Sequence, residues 1–285
     1  MIKAGLVVEG GGMRGVYSSG VLDFFIEKDL FFENNYGVSA GACHLCSYLA
    51  KQYKRAFRVN VDYLNDKRYC SVHSLLKTGN LFGAEMLYDI IPNELHLFDY
   101  DTYNKNESNF YVVITDINTG KPEYVKIGDL KKDIIYVRAS SSLPLLAQNV
   151  KINDKEYLDG GISDSIPIKK SIADGNKKNV VILTRDSTYR KGKNSLMPII
   201  KLKYKKYPNF VKSMADRYIV YNEILDFIKE LENNGDVFII RPKKPVNIGR
   251  TEKNREKLEA LYNDGYNDAK DCYEELLKYL GKENL

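Results

Sequence analysis

Twice within the first 53 residues a short apolar run closes on glycine and gives way to a helical pattern. Lys3 to Val8 reads as a strand, and Arg14 to Lys28 reads as the helix after it, with Val16, Val21, Leu22, Phe24, Phe25 and Ile26 apolar. Consecutive glycines join the two. Phe31 to Tyr36 predicts a second strand ending at Gly37, and Ala40 to Tyr53 a second helix rich in small and apolar residues. The alternation continues with a β-branched run at Phe110 to Thr115, a helix-like stretch at Leu130 to Ser140, and buried-strand runs at Val180 to Thr184 and Asp236 to Arg241. Such alternation predicts an α/β fold in which a parallel sheet is covered by helices.

Residues 54 to 108 are more polar and less periodic, and read as helices and loops inserted over one end of the sheet, suited to a lid or an access path. After Arg185 a polar, basic stretch through Lys193 reads as an excursion or a boundary. Residues 1–185 are therefore expected to form the motif-bearing catalytic part, and 186–285 an α/β extension packed on the same domain. Glu252 to Leu280 shows helical spacing of Leu258, Leu261, Tyr262, Tyr266, Ala269, Tyr273, Leu276 and Leu277.

Composition narrows the function classes. With 44% hydrophobic and 28% charged residues in 285, the chain has the makeup of a globule with a sizeable core. No window approaches about 18 consecutive apolar residues, so no membrane-spanning helix is expected. The apolar run Leu6 to Val8 is too short for a secretory signal and is followed by Glu9. Lys and Arg number 43 against 38 Asp and Glu, a +5 balance below that of a dedicated nucleic-acid domain but compatible with mild attraction to anionic lipid. Four cysteines do not make a disulfide framework in a chain this long, and a reducing cytoplasm is the expected compartment.

Gly37-Val38-Ser39-Ala40-Gly41 is G-x-S-x-G between a predicted strand and a predicted helix, the setting of a nucleophile elbow. A tight turn there strains the serine backbone, lifts the hydroxyl clear of the sheet and sets it beside the positive end of a helix. Gly10-Gly11-Gly12-Met13-Arg14-Gly15 directly follows the first strand, and its clustered amides suit a phosphate or an acyl oxyanion. Gly10, Gly12 and Gly15 also satisfy G-x-G-x-x-G, and Glu33, at the end of the second strand, stands near the distance of a ribose-binding acid. A dinucleotide-binding oxidoreductase is thus a competing reading, opposed by the serine elbow after the second strand.

A serine nucleophile needs a base. The histidines are His44, His73 and His96. None precedes Ser39, none arrives late enough for the Ser, acid, His order, and His44 on the elbow helix would point away, so ordinary structural roles suit all three. A carboxylate remains: Leu158-Asp159-Gly160-Gly161 follows a hairpin-like segment, Val150 to Tyr157, and its turn could present Asp159 at a sheet edge.

Glycine loop, serine elbow and Asp-Gly-Gly in that order resemble the patatin-like phospholipases over residues 3–185, and Ala-Ser-Ser-Ser-Leu-Pro at Ala139 to Pro144 looks like the segment these proteins carry before the acid. The resemblance implies a three-layer α/β/α fold with a mostly parallel sheet and a helical C-terminal extension. It further implies a Ser39–Asp159 dyad that cleaves carboxylic esters of phospholipids, lysophospholipids or other acyl lipids, with no metal or organic cofactor. The expected oxyanion donors are the amides of Gly11, Gly12 and Ala40. Gly10, Met13, Arg14, Gly15, Gly37, Gly41, Gly160 and Gly161 are expected to support them. A lipid-binding or regulatory role with negligible turnover is the alternative within the same family.

Two further features have simpler explanations. Cys43-x-x-Cys46 with Cys70-x-x-His73 has zinc-like spacing, but the first pair falls inside the elbow helix, where cysteine packs as an apolar residue. Lys201, Lys203, Lys205 and Lys206, interleaved with Tyr204 and Tyr207, could rest on an anionic bilayer or form a solvated face.

Overall fold

The N-terminal apolar run lies in the middle of an eight-stranded sheet in the computed structural model, which describes residues 1–282. The strands are β1 (Ile2–Val8), β2 (Phe32–Val38), β3 (Asn109–Asp116), β4 (Pro122–Ile127), β5 (Val150–Ile152), β6 (Lys155–Asp159), β7 (Asn179–Ile182) and β8 (Val237–Ile240). Their order is β5-β6-β3-β2-β1-β7-β8, with β4 also paired to β3. The run from β3 through β2, β1 and β7 to β8 is parallel, whereas β4 and β6 pair antiparallel to β3 and β5 to β6. The sheet is thus mostly parallel with an antiparallel flank built from hairpin-connected strands.

The helices are α1 (Val16–Glu27), α2 (Ala40–Leu49), α3 (Arg55–Val61), α4 (Val72–Thr78), α5 (Tyr100–Asn104), α6 (Leu130–Ser140), α7 (Ile168–Ala173), α8 (Met197–Lys203), α9 (Pro208–Asn233), α10 (Arg255–Asp271) and α11 (Tyr273–Leu280). Successive strand residues face opposite sides, so Leu6, Val8, Val180 and Ile182 join one core with residues of α1, α2, α6 and α10. Val7, Tyr36, Val181 and Leu183 join the other with Ile168 of α7 and Tyr221, Ile224 and Ile228 of α9. Helices on both faces make three layers.

Residues beyond 185 complete this fold. β8 extends the sheet, and α10 crosses α1 so closely that a Cβ on Gly265 would lie 2.0 Å from the Tyr17 carbonyl oxygen and one on Gly20 2.1 Å from that of Tyr262. Tyr17 donates to Asp268 at 2.9 Å and Tyr262 to Asp23 at 2.9 Å across the same crossing.

Several elements differ from their sequence reading. The first helix starts as a 3-10 turn at Gly12–Gly15, and the second ends at Leu49 because Lys51 and Lys54 adopt φ of 54° and 60°. The Glu252 to Leu280 periodicity divides into α10 and α11 at Cys272, where the change of direction brings Tyr279 to hydrogen-bond Asn179 and Asp236 at the ends of β7 and β8. The 26-residue α9 has no counterpart in the sequence reading. Residues 54–108 form α3, α4, a π-helical segment at Met86–Leu95 and α5. None of the described helices is long and apolar enough to cross a membrane.

Candidate active site

One edge of β3 brings Ser39 and Asp159 together. β4 takes the other edge along Phe110 to Thr115, so β2 and β6 must share this one, β2 pairing through Val113 and β6 from Ile114 onward. Val38 therefore ends opposite Val113, and Asp159 ends opposite Ile114 from the reverse direction. Ser39 Oγ–H donates to Asp159 Oδ2 at 2.7 Å across 120 positions of sequence. Ser39 carries φ 54°, ψ −125°, a strained conformation of the kind that functional sites retain. Its N–H donates to Ser140 Oγ at 2.8 Å, which holds the turn in place.

Asp159 is only 2% exposed. Its Oδ1 accepts from the Gly161 amide at 2.8 Å, and Thr115 Oγ1 donates to its carbonyl at 2.8 Å. Burial pushes its carboxyl above the ordinary value of 3.8, against the opposing pull of Arg217, the Ser39 hydroxyl and the Gly161 amide. Arg217 Nε–H in turn donates to Gly161 O at 2.5 Å and fixes the Asp-Gly-Gly turn.

The glycine loop runs past the same serine. A Cβ on Gly10 would stand 2.7 Å from Ser39 Cβ, and Gly12 has φ +59° with the Arg250 carbonyl oxygen 2.6 Å from where its Cβ would be. That carbonyl accepts the Met13 amide at 3.0 Å, and Glu9 anchors the strand end beneath the loop by accepting from Thr184 and Tyr221. With the Ser39 and Met13 amides engaged, those of Gly11, Gly12 and Ala40 remain without an acceptor among the described residues. Ala40 opens α2, where amides have no intrahelical partner.

Ser39 opens onto a cleft of about 140 Å³. Its wall is mainly apolar, with Val59, Tyr69, Phe82, Leu87, Ile91 and Phe98 from the 54–108 insertion facing Leu130, Ile134, Val137 and Leu143. The insertion thus forms the far wall of the site.

The other predicted residues sort cleanly. Gly37 is the penultimate residue of β2, Gly41 packs beneath Val8, Gly15 lies against Ala40 and His44, and Gly160 turns over Val113. Arg14 is buried beside the loop. Glu33 stands near the start of β2, whose parallel register with β1 puts it at the opposite end of the sheet from the glycine loop, so it cannot serve as a ribose acid there. His44 Nε2 pairs with Asn60 at 3.1 Å and not with Ser39, and burial lowers its pKa to about 4. Cys43 and Cys46 pack on α2, His73 is exposed on α4, and no group of three or more His, Cys, Asp or Glu positioned for a metal occurs among the described residues. Sequence reasoning missed Ser140 as the elbow's brace, although it lies in the Ser-Ser-Ser run, and missed Glu9, Lys191, Arg217 and Arg250, which carry no local motif.

Known proteins similar to this chain indicate its family. Residues 6–171 match the model for the patatin-like phospholipases, and residues 207–281 match one for a domain of unknown function, DUF6363. "Uncharacterized protein YjjU" of Escherichia coli K12 is 28% identical over 86% of this chain and 70% of its own length. "Probable lipid hydrolase 463L" of Invertebrate iridescent virus 6 is 25% identical over 65% of this chain and 71% of its own. VipD of Legionella pneumophila superimposes with a TM-score of 0.46 at 12% identity, covering 98% of this chain and 67% of that one. Because the first of these models spans more than half of the sequence, the chain belongs to the patatin-like phospholipase family.

Proposed function

We propose that this protein is a serine acyl hydrolase that cleaves carboxylic esters of phospholipids, lysophospholipids or related acyl lipids, with Ser39 as nucleophile and Asp159 as base. The observation that carries the reading is the 2.7 Å hydrogen bond from Ser39 to a buried carboxylate at the mouth of an apolar cleft. Ser39 Oγ attacks the ester carbonyl while its proton passes to Asp159 Oδ2. The oxyanion falls among the amides of Gly11, Gly12 and Ala40, each worth about 3 kcal/mol when well aimed. Collapse expels the alcohol, which takes the proton from Asp159. Water then attacks acyl-Ser39, gives a proton to Asp159, and the departing serine oxygen recovers it. An acyl chain in the cleft gains about 0.8 kcal/mol per buried methylene.

Incubation with a fluorophosphonate, followed by peptide mass mapping and a lipid-ester panel, tests the reading. An adduct on Ser39 with ester turnover is expected. No adduct and no hydrolysis would reject it.

The raised pKa of Asp159 fixes the sign of the pH response. The base must be ionised, so kcat/KM is expected to fall as pH drops through its folded-state pKa, giving an acid limb centred above 3.8. Arg217 holds that pKa down, so Arg217→Gln is expected to move the limb to higher pH. A pH–rate profile of both proteins checks this, and an unmoved limb would remove Arg217 from that role.

Lys201, Lys203, Lys205 and Lys206 are exposed, and Leu196, Ile199 and Leu202 expose apolar surface beside them at 48%, 54% and 74%. This mixture supports peripheral contact with an anionic bilayer, at about 1 kcal/mol per lysine near the surface. Replacing all four lysines with glutamine is expected to reduce co-sedimentation with phosphatidylserine-containing vesicles; unchanged sedimentation would exclude the contact. Four unpaired thiols support a cytoplasmic location.

A further inference from the structure

Next to the dyad lies a second cavity, which shares Gly12, Ser39 and Leu143 with the apolar cleft but is charged where the cleft is apolar. Four cationic side chains line it: Arg14 from the glycine loop, Lys191 from the polar stretch after β7, Arg217 from α9 and Arg250 from the segment before α10. Three of the four come from beyond residue 185. The carboxylates in the same wall are Glu9 and Asp159, and both are already satisfied, Glu9 by Thr184 and Tyr221 and Asp159 by Ser39 and Gly161.

The two carboxylates offset the four cations only in part. Among the described residues, none of the four has a carboxylate oxygen within ion-pair distance. Arg14 Nε is buried without any partner. Lys191 Nζ rests 4.1 Å from the centroid of the Tyr221 ring. Only Arg217 spends a guanidinium proton, on the Gly161 carbonyl. Burial, reinforced by mutual repulsion, lowers Arg14 to about 10 and Lys191 to about 7. Collecting unpaired cations in a partly desolvated wall is costly unless an anion completes it.

We propose that this cradle receives the phosphate of a substrate whose headgroup is a phosphate monoester dianion, an ester of the lysophosphatidic or phosphatidic acid class, so that the C-terminal region acts as the headgroup-recognition part of the site. Four cations and two carboxylates leave a formal charge of +2, which a phosphate monoester dianion matches. A choline or ethanolamine headgroup would add its own cation to the cluster, and a neutral glyceride would leave the cluster unpaired. The shared position of Ser39 allows an acyl chain in the apolar cleft and a phosphate in the cradle to flank one ester carbonyl. The inference rests on the hydrolase reading above for the word substrate, but the cradle itself does not.

Calorimetry on the full chain carrying Ser39→Ala separates the two. The probes are a short-chain monoacylglycerol 3-phosphate, the matching phosphocholine ester, the matching monoacylglycerol and inorganic phosphate, all below micellar concentration. The phosphate monoester is expected to bind at least about tenfold more tightly than either other lipid, as charge-assisted contacts to phosphate require. Adding Lys191→Gln and Arg250→Gln is expected to erase that preference while leaving the neutral glyceride's affinity unchanged, which also reports an intact fold. Equal affinity for the three lipids, or a preference that survives both substitutions, would overturn the proposal. Inorganic phosphate binding as tightly as the phosphate ester would assign the cradle to free phosphate and overturn it equally. Wild-type protein that hydrolyses none of the esters while the binding preference holds would sink the hydrolase reading alone.

Discussion

Ser39→Ala is expected to lower kcat by about a million-fold, the scale of losing a hydrolase nucleophile, and to abolish fluorophosphonate labelling. The nearby thiol is a poor substitute. Cys43, one helical turn on, has its Sγ 3.4 Å from Ser141 Oγ, and burial pushes its thiol up, away from the reactive thiolate. Asp159→Asn should cost less, about a thousand- to ten-thousand-fold in kcat, because the amide can still accept the Ser39 hydrogen bond but cannot take its proton. Stability should move the other way. A carboxylate whose folded pKa lies above its unfolded value disfavours the fold when ionised, so at pH 7 Asp159→Asn is expected to melt no lower than the parent protein. Asp159→Asn retaining kcat within tenfold of the parent would end its assignment as base.

The elements around this dyad were legible to very different degrees. Strand–glycine–helix boundaries came through because apolar periodicity and glycine punctuation are local, and Leu130–Ser140 is helical over the span its pattern predicts. The elbow and the Asp-Gly-Gly turn were legible as types of turn. Their meeting was not, because it depends on β2 and β6 approaching one edge of β3 from opposite ends, a register fixed by tertiary pairing. Glu33 misled for a related reason: counting residues from the glycine loop ignores that parallel strands align their starts. Lys191, Arg217 and Arg250 carried no signal at all, since a basic residue on a polar loop or a half-buried helix looks the same in sequence whether it faces water or a cavity. The composition changes after Arg185, and β8 and α10 beyond it pack directly on earlier elements.

Gly12→Ala is expected to reduce kcat by about a hundred- to a thousand-fold with little change in KM, the effect of misplacing an oxyanion donor. Two costs coincide at this position. A left-handed φ of +59° opposes a side chain by about 1 kcal/mol, and the new Cβ would lie 2.6 Å from the Arg250 carbonyl, which is backbone and already accepts the Met13 amide. The loop must therefore move, and the Gly11 and Gly12 amides move with it. Gly175→Ala isolates the first cost. Gly175 has φ +92° with nothing within 4 Å of a Cβ, and it precedes β7 at the end of the sheet away from Ser39. It should lose about 1 kcal/mol of stability in denaturant unfolding and keep its kcat. If Gly175→Ala keeps its turnover and Gly12→Ala, still folded, loses it, the loop amides act on the reaction itself. If both keep kcat, the oxyanion is held elsewhere, with the Ala40 amide at the start of α2 as the remaining donor.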